Sequence, residues 1–137
     1  MSLLNVFDVA GSAMNAQSVR MNVTTSNLAN AGSVGATPED VYRSKQPVFT
    51  SFQDALGRES GSHGVRLEGI VESSAPLSMR YQPDHPDANE DGNVYVSNVN
   101  TVEEMVNMIS ASRSYKNNVE IINTTKDLLT QTLSMGR

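Results

Sequence analysis

The sequence predicts a mainly α-helical fold in which two long terminal helices pair as a coiled-coil-like hairpin around a small β-rich insert. Three observations carry this. Apolar residues recur every seven positions near both ends of the chain, whereas the middle holds short alternating runs broken by Gly and Pro. Charge is also spread unevenly along the 137 residues. Residues 1–38 hold only Asp8 and Arg20, residues 39–100 hold ten acids and five bases, and residues 101–137 hold four of each. A first segment so poor in charge implies enclosure by protein on several sides, or disorder until such enclosure.

The first helix is expected over about residues 3–30. Phe7, Met14, Met21 and Leu28 recur every seven residues, and Leu3, Ala10, Gln17, Thr24 and Ala31 form a companion row. Together they make a stripe of period 3.5, which supercoils against a partner. Asn27 and Asn30, which tolerate left-handed backbone, are followed by Gly32 and Gly35 and end the helix. Residues 32–40 read as a loop.

Four strand-like pieces follow. Val41 to Phe52 is apolar but contains Pro47, which excludes a central strand. Residues 53–64 are rich in Gly and Ser and read as a flexible excursion. Val65, Leu67, Ile70 and Val71 predict a strand kinked at Gly69, with Leu77, Met79 and Tyr81 as its partner. Val94 and Val96 close the insert as a last short strand.

The second helix is expected over about 101–134. Thr101-Val-Glu-Glu104 fits a capping box. Met105, Ser112, Val119, Lys126 and Leu133 recur every seven residues, interleaved with Met108, Tyr115, Ile122 and Leu129. Residues 1–31 and 101–137 thus form one discontinuous helical assembly domain, 32–40 a loop, and 41–100 the β-rich insert. A two-helix hairpin cannot bury both stripes and their flanking apolar residues, so further helices are implied. Neighbouring copies or homologues are the economical source, and a monomeric hairpin with a β cap is the simpler alternative.

Composition excludes much else. The absence of Cys rules out disulfides and Cys-based metal sites. The net charge of −5 argues against nucleic-acid binding. No run approaches the ~20 apolar residues of a membrane span. The first residues lack the basic n-region of a cleaved signal peptide, so export, if it occurs, is expected by another route. Asp87-Ala-Asn89-Glu-Asp91-Gly92 fits the opening of a calcium loop, which makes Asp87, Asn89 and Asp91 candidate ligands. The bidentate Glu due eleven residues after Asp87 is Asn98 instead, and a turn into a strand is the better reading. His63 and His85 share no ligand spacing, and no nucleophile–base–acid set or phosphate-binding Gly loop is present. No cofactor and no catalytic residue are expected. The stripes point to assembly.

The run Phe7-Asp-Val-Ala-Gly-Ser-Ala-Met-Asn-Ala-Gln-Ser-Val-Arg20, continued by Ser26-Asn-Leu-Ala-Asn-Ala31, resembles the N-terminal signature of bacterial flagellar axial proteins. Tyr42-Arg-Ser-Lys-Gln-Pro-Val-Phe49, Asn98-Val-Asn-Thr-Val-Glu-Glu-Met-Val106, Ser110-Ala-Ser-Arg-Ser-Tyr115, Asn118-Val-Glu120 and Thr132-Leu-Ser-Met-Gly136 are similar to the rod members of that family. Ala31-Gly32-Ser33 departs from the family's usual sequel to Asn30. The resemblance implies a structural subunit of the proximal rod of the basal body. It would be exported through the flagellar type III channel without signal cleavage and assembled in the periplasmic space. Its implied partners are further copies of itself, other rod subunits, the basal-body adaptor protein and, in transit, the export apparatus. Leu3, Phe7, Met14, Met21, Asn27, Leu28, Asn30, Met105, Met108, Tyr115, Val119, Ile122, Leu129 and Leu133 are the expected interface residues. A calcium-stabilised periplasmic binding module with a coiled-coil stalk is the competing expectation.

Overall fold

A computed structural model describes residues 3–53 and 63–136, with side chains placed over 5–52 and 64–136. The Gly/Ser-rich run expected at 53–64 lies, but for its ends, outside the described residues.

Two helices enclose an insert of five strands. Helix α1 (Leu3–Ala29) and helix α2 (Thr101–Met135) come from the two ends of the chain. Between them run β1 (Val34–Gly35), β2 (Lys45–Gln53), β3 (His63–Glu72), β4 (Ser78–Tyr81) and β5 (Asn93–Val96). The helices are antiparallel neighbours. Arg20, late in α1, donates through Nη2 to Oδ1 of Asn107, early in α2, at 3.0 Å.

The seam that α2 turns toward the rest of the chain holds Glu104, Met108, Ala111, Tyr115, Asn118, Ile122, Thr125 and Leu129. Glu104, Ala111 and Thr125 are buried and the others half-buried. Their spacing alternates between four and three residues, the period that keeps one face of a helix on a partner helix. The expected Met108 row therefore faces inward. The expected Met105 row does not accompany it, because the second inward row is Glu104–Ala111–Asn118–Thr125, one residue earlier.

Helix α1 is covered twice by its own chain, by α2 and by the hairpin of β2 and β3. Ala10, Ala16, Val23, Thr24 and Asn27 are buried. The residues left exposed, Asp8, Val9, Gly11, Asn15, Asn22, Thr25, Ser26 and Ala29, form a narrow outer strip. The scarcity of charge in α1 therefore has an explanation within the molecule: the insert stands where solvent would.

α1 ends without a left-handed residue, since no non-glycine residue among those described has positive φ. The Asn30 side-chain amide donates instead to the Ser26 carbonyl at 2.8 Å, which satisfies one of the helix's terminal acceptors. The expected capping box at α2 is also displaced by one residue. Asn100 is the N-cap, and its Oδ1 accepts from the amides of Val102 (3.1 Å) and Glu103 (3.4 Å). Its side chain reaches the same first-turn donors as a Thr would, one position earlier.

β2 and β3 form an antiparallel two-stranded sheet in which Pro47 is tolerated because neither strand has a second neighbour. Val48 pairs with Gly69 and Phe49 with Leu67, so Glu68 is the extra residue of a bulge beside Gly69. The partner expected for β3 is a correction. Ser78–Tyr81 pairs with β5 in a separate antiparallel sheet of order β1–β5–β4. The supposed loop 32–40 supplies the third strand, with Val34 opposite Val96 and Gly35 opposite Tyr95. Val94 on the central strand is fully buried, and Val41 and Ser97 are buried.

Candidate assembly surface

The hairpin is tied to α1 by short polar side chains that take up backbone groups. Asn27 is the main tie and is only 1 % exposed. Its Oδ1 accepts from Tyr42 Oη and from the Lys45 amide, each at 2.9 Å. Its Nδ2 donates to the Lys45 carbonyl at 2.8 Å and to Ser44 Oγ at 3.5 Å. All four hydrogen-bonding positions of the amide are thus used inside the chain. Tyr42 Oη also lies 3.2 Å from Ser26 Oγ. Asn98 makes a second tie, accepting from the Ser44 amide at 2.8 Å and donating to the Ala75 carbonyl at 3.0 Å. At the far end of the hairpin, Ser12 Oγ accepts from the Val65 amide at 3.2 Å. There a side chain at Gly64 would have to displace the tip of the Phe52 ring: an added Cβ would lie 2.7 Å from that ring and 3.2 Å from Ser12 Oγ.

The candidate calcium loop is a closed turn. Asn89 Oδ1 accepts from the amides of Asp91 (3.1 Å) and Asn93 (2.9 Å), and its main chain bonds the amide of Gly92 and the carbonyl of Asn93. Gly92 has φ +74°, and a Cβ there would meet Tyr81 at 3.0 Å. Asp87 and Asp91 are exposed, and the Asp87 carboxylate is 3.8 Å from His85 Nδ1. Among the described residues no three His, Asp or Glu side chains gather as a metal would require. In this geometry the Asp87/Asn89/Asp91 pattern forms a turn entering β5, and nothing among the described residues supports a calcium site.

With α1 covered and the hairpin tied down, the open apolar surface lies on α2. Val102, Val106 and Ile109 on the side away from the seam, and Met105 on its flank, are more than half exposed over two turns. Ile121, Leu128 and Met135 recur every seven residues on one flank of the seam, and Leu133 lies on the other. Such a run on a helix whose opposite side is already buried makes this face the candidate assembly surface.

Of the residues expected at an interface, Met105 (54 % exposed) and Leu133 (74 % exposed) lie on this surface. Phe7, Met14, Met21, Leu28, Met108, Tyr115, Val119, Ile122 and Leu129 are half-buried. Asn27 is buried and Asn30 bonds its own helix. Leu3 opens α1, but its side chain lies outside those described. The row Ile121–Leu128–Met135 escaped sequence reasoning, although its seven-residue recurrence was available as a signal.

The profile of a family described as "Flagella basal body rod protein" matches residues 7–37. A second, "Flagellar basal body rod FlgEFG protein C-terminal", matches residues 90–135. A flagellar basal-body rod protein FlgC from Yersinia enterocolitica is 50 % identical over 137 residues, covering all of both chains. That from Salmonella typhimurium is 48 % identical with the same coverage. The chain belongs to the FlgC family. The FlgC protein of Buchnera aphidicola from Acyrthosiphon pisum retains 43 % identity over 99 % of both chains. As a FlgC relative the chain is a structural subunit of the flagellar basal-body rod and not an enzyme. The FlgC resemblance spans both helices and the insert. Among the described residues, no helix is long and apolar enough to cross a membrane.

Proposed function

We propose that the chain transmits torque within the rod by packing the open rows of α2 against helices of neighbouring subunits. The carrying observation is that α2 is apolar on two sides. One side is closed by the chain's own first helix, and the other, through Val102, Met105, Val106 and Ile109, is more than half open to solvent. Interlocked side chains resist sliding because a one-residue slip sets each apolar knob against the wrong hole. In this reading 1–31 and 101–137 act as one assembly unit and the insert 41–100 is carried outside it. The neighbours are further copies, other rod subunits and the adaptor protein at the rod's base. Passage through the type III channel without signal cleavage, and assembly in the periplasmic space, belong to the same reading and rest on family membership.

The test separates assembly from folding. Met105→Asp and Ile109→Asp place a charge on the open row without touching the seam. Motility is expected to be lost while the purified variant melts within about 0.5 kcal/mol of the parent, as substitutions at exposed sites do. Normal swimming with either substitution would defeat the proposal.

A further inference from the structure

A cleft of about 340 Å³, open to solvent on one side, lies where α1, α2 and β2 meet, lined by Gln17, Arg20, Thr24, Lys45, Glu103 and Glu104 among others. Its own cations already have partners: Arg20 donates to Asn107 within the cleft, and Lys45 Nζ lies 3.6 Å from the Glu72 carboxylate. Its acceptors are not. Glu104 is 6 % exposed, yet no cation stands within 4.0 Å of its carboxylate and no side-chain hydrogen bond reaches it among the described residues. Gln17 Oε1, in the same cleft, is buried and has no donor. Gln17 Oε1 is buried without a donor, which is unfavourable, and the Glu104 carboxylate, whose oxygens are not sealed from solvent, has no counter-ion among the described residues. The cleft thus offers two free acceptors to a positively charged hydrogen-bond donor from outside.

The chain itself offers such donors on the right face. Val102 and Ile109 continue, seven residues on, to Lys116; Val106 continues to Arg113. Lys116 and Arg113 are exposed and have no ion-pair partner among the described residues. A neighbouring α2 that lays its open row near the cleft thus brings two unpaired cations with it. We propose that the cleft receives the Lys116 or Arg113 side chain of a second copy of this chain, with the Glu104 carboxylate as counter-ion and Gln17 Oε1 as a further acceptor. The inference rests on the assembly reading above and adds the polar contact that fixes its register.

The chain has no Cys, so introduced thiols stand alone. Glu104→Cys would be combined with Lys116→Cys or with Arg113→Cys, and with Asp87→Cys on the exposed turn as a control. Each variant would be expressed in a flagellated cell and its isolated basal bodies oxidised. The expected result is cross-linked species at twice the chain mass or higher for at least one α2 pair, and none for the control. Cross-linking of Glu104→Cys to a different rod protein with neither α2 pair, or equal yield from the control, would overturn the proposal. So would incorporation into basal bodies with no cross-link. A parent chain absent from basal bodies would refute the assembly reading instead. As a second measure, Glu104→Lys should abolish swimming and Glu104→Lys with Lys116→Glu or Arg113→Glu should restore it. Restoration by neither, with the purified variants folded by circular dichroism, would also overturn it.

Discussion

Asn27 joins α1 to the insert by saturating one short side chain with four partners. Replacing it by Leu leaves the Lys45 amide and the Lys45 carbonyl without these bonds in a part-buried place, while Tyr42 Oη keeps only Ser26 Oγ. Each orphaned group costs about 1–3 kcal/mol, so Asn27→Leu is expected to destabilise the chain by roughly 2 kcal/mol or more, measured by denaturant unfolding. Gly64 is the other exacting position. Gly64→Val must push aside the Phe52 ring or lift the hairpin from Ser12, and is expected to cost about 1–3 kcal/mol as overpacking does. Phe52→Ala should partly relieve it, which a double-mutant cycle would register. The Ser26-Asn27-Leu28-Ala29-Asn30 element was legible as a family mark, yet its work was not. Tyr42 and Lys45 lie 15 and 18 residues away, and no local pattern tells an amide which backbone it will meet.

Both helices and most strands were readable from periodicity, but which row of α2 faces inward was not. The inward companion row is Glu104–Ala111–Asn118–Thr125, and three of its four members are polar. A hydrophobicity reading therefore prefers Met105–Ser112–Val119 beside it. The pairing of the strands was hidden for a similar reason: β1 has two residues, too few for an alternating pattern. The cap of α2 is open to direct test. Asn100→Ala removes the acceptor for two first-turn amides and is expected to cost about 1 kcal/mol. Thr101→Ala is expected to change stability by less than half of that, since the Thr101 side chain has no part in the cap. Thermal melts of the two variants would decide between Asn100 and the capping box that the sequence suggests.

At the scale of the molecule, α1 is enclosed by its own chain while α2 is enclosed on one side only. The 27 residues of α1 and 35 of α2 make up a little under half of the chain. Isolated protein in dilute buffer is expected to show less helix than this by circular dichroism, because the last turns of α2 have few apolar contacts to offset the entropy of ordering them. Among the described residues from Lys126 onward only Leu129 is even half-buried. A sharp melt from a fully helical monomer would contradict the expectation. The charge pattern was correctly read as a sign of enclosure, but the enclosing element was assigned to other molecules because nothing in the sequence says that β2 and β3 fold back onto α1.

The two helices are of unequal length, and α2 has eight residues more than its partner, a difference of about 12 Å at 1.5 Å per residue. In a bundle made of many such molecules, the helix ends cannot all fall at one level. In the packing proposed above, the N-terminal end of each α1 would be bridged by an α2 that carries on past it, as overlapping laths bridge the butt joints in a mast. A shaft laid up in this way would not have all of its fibres ending together at that level, and a twisting load would find no seam there along which to part it.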